Sequence, residues 1–528
     1  MRWTVVAAAA LMACGVGQKN AITDTAGFAS PADAHGTGTG GGGGSTSGTW
    51  SDADADADSD ADTDSDADTD SDTDTDTETD TDTETTDTGT PDEECDTHLP
   101  VALFLSPDDS NSMSSAVLAR ESVIQYGSGR IPPIRTYELF NYYTFDYPAA
   151  LPGDLSVTLE LAQDPDMGDD EYVLQVAIAS ERRTNGERDP LDITLVVDTS
   201  CSMGGTAIEL TRDVCRAVAG QLQAGDIVNM VTWSTDQSLA LENHEVRGPG
   251  DATVLDKCDS FTADGGTDLN AGLIAGYRLA DAHASPDRVD RILLISDGGA
   301  NLGVTDAELI AEKADDGNQG GIYMAGAGVG HPGVYNDKLM NAVTDAGKGA
   351  AVYLPHSEEV SRVFGDGFVN LFDVAARNVQ LELQLPGGFE IVRFSAEEIG
   401  TKARDVEPQH LAPNDAMVFY QHLSTCAPEE VTADTEVVAT VRWQDVRTGE
   451  LHERVQASTF GEMLGGNTAN LRKGTAVFAI AEALKAVRSG SAQGADAIAR
   501  AFDALRTAEA VLPRDPELAE LRTLLEGL

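Results

Sequence analysis

Basic residues are scarce in this chain: 34 Lys and Arg stand against 90 Asp and Glu, giving a formal net charge of −56 over 528 residues. A surface of that sign repels phosphate backbones, so nucleic acid is excluded as a partner, while cations and basic surfaces are favoured. Long apolar runs are also missing. The N-terminal run Val5–Ala13 is nine residues long, where a membrane-spanning helix needs about twenty, and no other segment is apolar enough to cross a bilayer. Cysteine is sparse, six in all and with no C-x-x-C pair, so neither a zinc ribbon nor a thioredoxin-like site is suggested. A length of 528 residues calls for two or three domains rather than one core.

The acidity is concentrated. Between Ser51 and Cys95 there are 21 acidic residues and no Lys or Arg, alternating with Ala, Ser and Thr. With the Gly/Ser/Thr stretch Gly36–Ser47 before it, the segment 15–97 reads as disordered, because it buries too little apolar surface to offset ordering entropy and its like charges repel. The physical expectation is a stalk, about 280 Å at full stretch and roughly 50 Å as a flexible coil. Loose calcium capture by the repeats is the weaker reading, since no EF-hand or RTX spacing organises the carboxylates. Ahead of the stalk, Arg2 and the run Val5–Ala13 have the proportions of a secretory signal. Its end, Leu11-Met12-Ala13-Cys14, resembles a bacterial lipobox. That resemblance implies cleavage before Cys14 and acylation of Cys14, with several chains on one residue giving stable anchoring. Gly15 in place of Asp favours the outer membrane. The alternative is an ordinary cleaved signal.

Five cysteines follow Cys14, so an exported protein keeps at least one free thiol. Cys201 and Cys215 are poorly placed for each other, since about two helical turns, roughly 12 Å, separate them.

Three stretches carry the chemistry. They are LVVDTSCSMGG with Asp198, Ser200 and Ser202, DGGTDLNAGL with Thr267, and LLISDGGANLG with Asp297. Two carboxylates and three hydroxyls form an all-oxygen set, which suits a hard divalent cation that keeps some of its waters. LDITLVVD and RILLISD are apolar, β-branched runs, as strands buried on both faces must be. Each ends in an Asp followed by small residues and a helical pattern, which places both carboxylates at the carboxyl ends of parallel strands, where open α/β sheets bind ligands. The plain alternative is a set of helix caps. No G-x-S-x-G frames Ser200, so a nucleophilic role is not supported and the chain reads as a non-enzyme.

These residues resemble the metal-ion-dependent adhesion site of von Willebrand factor type A domains, with all three pieces in the usual order. The resemblance implies that Asp198, Ser200, Ser202, Thr267 and Asp297 hold Mg²⁺ (or Ca²⁺ or Mn²⁺), and that an acidic side chain of a protein partner completes the shell. Cys201 departs from the Gly most often found there; a Cys tolerates positive φ poorly, so the loop must keep an ordinary backbone or carry strain.

Around this domain, placed at 188–375, the expected strands are Ile193–Asp198, Ile227–Trp233, Ile292–Ser296, Ile322–Ala327 and Ala350–Tyr353. Alternating helices argue a parallel, doubly wound sheet, and Ser357–Arg377 reads as the last helix. Residues 98–187 hold a short helix, an aromatic cluster (Tyr137, Phe140, Tyr142, Tyr143, Phe145, Tyr147) expected in a core, and two alternating strands. IPPIRTYELFNYYTFDYP and GVYNDKLMNAVTDAGKGAAVYL resemble bacterial YfbK-like von Willebrand A proteins. Strands resume over 376–466, and 467–528 reads as a helical hairpin with stripes at Val477, Ile480, Ala481, Leu484 and Val487 and at Ile498, Phe502 and Leu505. The expected fold is therefore an α/β, Rossmann-like domain inserted in an all-β sandwich, with its two insertion points close in space. The expected function is a lipid-anchored envelope module that binds an acidic protein partner through a metal. A metal-independent structural or assembly factor is the alternative.

Overall fold

The computed structural model of the protein describes residues 95–107, 111–163, 170–285, 287–299 and 321–528. The signal segment, Cys14 and nearly all of the proposed stalk lie outside the described residues.

The chain opens with β1 (Val101–Ser106), α1 (Ser114–Tyr126), α2 (Thr136–Tyr142), β2 (Ser156–Gln163) and β3 (Glu171–Ala179). The central portion is β4 (Leu191–Asp198), α3 (Thr206–Gln221), β5 (Ile227–Trp233), β6 (Gln237–Glu245), α4 (Ala252–Asp259), α5 (Leu269–His283), β7 (Val289–Ser296), β8 (Tyr323–Val329), α6 (Asp337–Ala346), β9 (Ala351–Leu354), α7 (Ser357–Ser361) and α8 (Phe368–Phe372). Strands follow as β10 (Ala376–Leu385), β11 (Phe389–Phe394), β12 (Glu398–Gly400), β13 (Gln409–Leu411), β14 (Ala416–Thr425), β15 (Glu436–Asp445) and β16 (Leu451–Thr459). The chain closes with α9 (Phe460–Leu464), α10 (Ala469–Arg488), α11 (Gly494–Val511) and α12 (Pro516–Glu526).

The central sheet has the order β6-β5-β4-β7-β8-β9. Every residue of β4 is buried, because the largely apolar LDITLVVD packs against helices on both faces. Val214, Val218, Phe364, Phe368 and Phe372 pack one face. Tyr277, Met340 and Val343 cover the other, in a core that continues into Phe140, Tyr143 and Leu471. The sheet is not wholly parallel as expected: β6 pairs antiparallel with β5 at the edge. Its exposed pattern and polar residues (Glu242, His244, Glu245) mark a guarded edge, which leaves no apolar run in the sequence. The last helix is also shorter than Ser357–Arg377. It runs through a π turn at Arg362–Asp366 and ends at Phe372, and Ala376 and Arg377 already belong to β10, where alternation replaces the helical period.

The flanking strands form a sandwich. One sheet runs β12-β1-β10-β15-β16, with β13 also on β10, and the other runs β11-β14-β3-β2. Alternate residues of β10, such as Leu381, Leu383 and Leu385, face Leu174, Val176 and Phe419 across the gap. The central domain is inserted between β3 and β10, and its two connections meet where the Arg183 guanidinium donates to Asp373 Oδ2 at 2.6 Å. Five of the six aromatics expected inside, Phe140, Tyr142, Tyr143, Phe145 and Tyr147, are buried in the core that α10–α12 share, and Tyr137 is half-buried. The last helix is tied to these flanks. Arg362 donates to Tyr142 Oη at 2.6 Å and to Glu517 Oε1 at 3.0 Å, and Arg120 donates to Glu359 Oε2 at 2.9 Å.

Among the described residues no cysteine is free, against the expectation of an unpaired thiol. Cys215 bonds Cys258, joining α3 to α4, and Cys95 bonds Cys426.

At the end of the central sheet opposite the Asp198 loop, Asp192 and Asp290 sit side by side in the β4–β7 ladder. Burial, and then the neighbouring Asp290 charge, push the Asp192 carboxyl up to about 7, although Asn229 Nδ2 donates to it at 2.8 Å. Its folded-state pKa lies above the unfolded value near 4, so stability is fully present below about pH 4 and is lost as pH rises toward 7. Asp192→Asn should therefore stabilise the fold at pH 8 by about 1–2 kcal/mol and much less at pH 5. Urea unfolding at both pH values checks this; an equal effect at both contradicts it.

Candidate functional site

The carboxyl ends of β4 and β7 lie side by side in the sheet, so Asp198 and Asp297 emerge next to each other. Asp198 is wholly buried. The Ser200 backbone N–H donates to its Oδ1 at 2.8 Å and the Ser296 hydroxyl to its Oδ2 at 2.7 Å. Burial nevertheless pushes its pKa up to about 7, and the Asp297 charge adds to the effect. Ser296 in turn accepts from Gly298 N at 3.0 Å. Sequence reasoning missed this serine; its signal was its place just before Asp297, at the end of an apolar strand.

Ser200 is buried, and its hydroxyl lies 3.0 Å from that of the exposed Ser202. Among the described residues no histidine is hydrogen-bonded to Ser200. The turn between β4 and α3 is a short 3-10 segment, Cys201–Met203. Cys201 is not among the residues with positive φ, so the departure at this position is accommodated with an ordinary backbone.

The Thr267 loop is tied to that turn by two backbone hydrogen bonds. Asp264 N donates to Thr199 O at 2.7 Å, and Cys201 N donates to Gly265 O at 3.2 Å. Gly265 takes φ +83°, and a Cβ there would lie 3.0 Å from the hydroxyls of Ser234 and Thr235, so the close approach needs glycine. Asp268 caps α5 by accepting from Ala271 N. Thr267, between these anchors, is 3 % exposed.

Asp297 completes the group. It is 2 % exposed, and its Oδ1 accepts from Gly299 N at 2.8 Å. A Cβ on Gly299 would lie 2.9 Å from Asp297 Oδ1 and 3.3 Å from Ser202 Oγ, so these two side chains share one neighbourhood. Its Oδ2 is buried and has no hydrogen-bond partner. Such an oxygen is costly unless a donor or a cation answers it. Two carboxylates, one with an unanswered oxygen, and hydroxyls on the same rim fit a hard divalent cation better than a set of helix caps. Among the described residues no group of three or more His, Cys, Asp or Glu is gathered to hold a metal, at this site or away from it, so any ion here would rely on the hydroxyls.

The chain is similar to the protein YfbK of Escherichia coli, 25% identical over 294 residues, covering 53% of this chain and 50% of that protein. It is also similar to the protein sll0103 of Synechocystis, 26% identical over 212 residues, 40% of this chain and 49% of the other. The chain thus spans about half the length of these two relatives. Among solved structures, a von Willebrand factor type A protein from Catenulispora acidiphila aligns over 69% of this chain and 89% of its own, with 14% identity and a TM-score of 0.44. The family model for the von Willebrand factor type A domain matches residues 192–365, from β4 through the π turn. The inserted α/β portion of this chain is therefore a von Willebrand factor type A domain.

Proposed function

We propose that the domain is a metal-dependent binding module for proteins that offer an acidic side chain. The observation that carries this reading is the buried, unpartnered Oδ2 of Asp297 on the same rim as the Ser200–Ser202 hydroxyl pair. Asp198, Ser200, Ser202, Thr267 and Asp297 would hold Mg²⁺ (or Ca²⁺ or Mn²⁺), directly or through water. The ion supplies positive charge and an exchangeable coordination position. The protein's own residues do the rest. Ser296 and the Ser200 N–H fix the Asp198 carboxylate, the backbone bonds from Asp264 and to Gly265 hold Thr267 in register, and exposed Ser202 faces the partner side. A carboxylate from the partner suits the remaining position, because five side chains leave an octahedral shell incomplete.

Together with the lipobox-like Leu11–Cys14, the reading extends to an outer-membrane lipoprotein, periplasmic or surface-exposed, anchored through Cys14. A metal-independent assembly factor is the competing reading, and a disulfide-bonded Cys201 in the metal loop is the feature that speaks for it.

Mg²⁺ at about a hundred times its Kd should stabilise the full chain by about 2.7 kcal/mol, seen as a rise in Tm, and Asp297→Ala should abolish the rise. An unchanged Tm and no calorimetric heat with Mg²⁺, Ca²⁺ and Mn²⁺ alike would overturn the metal-dependent reading. Ser296→Ala, which leaves every proposed ligand in place, should weaken Mg²⁺ affinity about 10- to 100-fold by releasing Asp198; unaltered affinity would remove Ser296 from the account. Radiolabelled palmitate should enter the expressed protein and be lost in Cys14→Ser, and equal labelling of both would remove the anchor.

A further inference from the structure

The disulfide and the insertion points of the domain occupy opposite ends of the sandwich. Cys95 and Cys426 meet beside the turn after Leu385, where Cys426 N donates to Gly388 O at 3.0 Å. A Cβ on Gly388 would lie 3.4 Å from the Cys426 sulfur and 3.5 Å from that of Cys95. At the other end, Ser180 N donates to Asp415 O at 3.0 Å as the chain leaves for the domain, and Ala375 N donates to Leu411 O at 2.8 Å as it returns.

Each sheet joins the two ends by one antiparallel pair. In the first, β1 begins shortly after Cys95 and pairs with β10 from Val101↔Leu385 to Leu105↔Leu381, and β10 receives the chain from the domain. In the second, β14 ends next to Cys426 and pairs with β3 from Ser424↔Glu171 to Ala416↔Ala179, and β3 leads into the domain. A pull between the disulfide and the domain draws β1 against β10 and β14 against β3 along their lengths, in opposite directions. Ladder hydrogen bonds lie perpendicular to the strands, so this shear strains all bonds of a ladder together, where peeling from one end would break them singly.

We propose that the Cys95–Cys426 bond makes the sandwich a two-ladder shear coupling that transmits tension from the acidic N-terminal tract to both chain ends of the type A domain. The acidic run of the sequence ends at Cys95, the point where such a pull enters. Without the bond, tension enters through β1 alone and the β14–β3 ladder stays outside the path. With it, the covalent ring from Cys95 to the domain and back to Cys426 loads both connections, which the Arg183–Asp373 contact already holds together. The inference rests on the binding and anchoring readings only for the source of the tension.

The test is single-molecule pulling of the full chain carrying Cys201→Ser, which removes the further disulfide at Cys201, in EDTA, so that its failure is separate from any failure of metal binding. Bio-orthogonal handles are placed at Gly48 and at exposed Asp256 on α4. The wild type should open at high force, with an extension capped by the shorter arm of the ring: about 50 residues, up to about 180 Å. The Cys95→Ala/Cys426→Ala variant should open at clearly lower force and extend nearly twofold further, to about 320 Å, along the longer arm. Mild reduction of the wild type gives the same comparison without a variant. Cys95 and Cys426 are exposed whereas Cys215 and Cys258 are 0 % exposed, so the outer bond is reduced first. A lower opening force after reduction supports the coupling. Equal opening forces before and after overturn it.

Discussion

The site depends on a carboxylate that has been taken out of water. Asp198 is wholly buried at the end of β4, and the Ser296 hydroxyl and the Ser200 N–H are what make its charge tolerable there. The hydroxyl comes from the end of the neighbouring strand β7 and the N–H from the turn after β4, so both reach the carboxylate only while β4 and β7 stay in register. The same register delivers Asp297 beside it with one oxygen unanswered. Two buried carboxylates side by side repel each other, and a cation is the simplest group that satisfies both.

Everything around this pair restrains its loops. The turn after Asp198 runs directly into α3, and α3 carries the last helix of the domain, with Val214 and Phe364 in one core. That helix is gripped on its outer side by Arg120, Tyr142 and Glu517, from segments more than three hundred residues apart in the chain. The N-terminal aromatic segment and the C-terminal helices thus form one core with the back of the type A sheet. This domain is wedged into its surroundings, and the sandwich that receives both of its chain ends is closed at the far side by Cys95–Cys426.

Much of this was legible in the residues. The strand ends at Asp198 and Asp297 followed from apolar runs that stop at an Asp and small residues, and the sandwich strands from alternation that the structure keeps, as in β10. Of the stripe at Val477, Ile480, Ala481, Leu484 and Val487, the first four are buried as their spacing required and Val487 is half-buried. What escaped has physical reasons. Strand β1 sits in VALFLS, too short a run beside an acidic tract to signal a strand, and it owes its place to pairing with β10 and β12. Edge strand β6 is polar because edges are guarded, so hydrophobic periodicity passes over it. The boundary near Phe372 was blurred by a π turn and by a strand whose first residues, Ala376 and Arg377, read as helix in isolation. Ser296 escaped because its role is to hold Asp198, a residue ninety-eight positions away, and a single serine carries no pattern of its own. Disulfide partners were beyond reach of the sequence, since pairing is set by the folded distances.

The most direct measurement is a crystal structure of the protein grown with Mn²⁺, recorded at the manganese absorption edge. One strong anomalous peak is expected among the oxygens of Asp198, Ser200, Ser202, Thr267 and Asp297, with the Asp297 Oδ2 atom directed to it. Strong manganese peaks elsewhere and none at that point, with the Asp198 and Asp297 loops ordered, would contradict it.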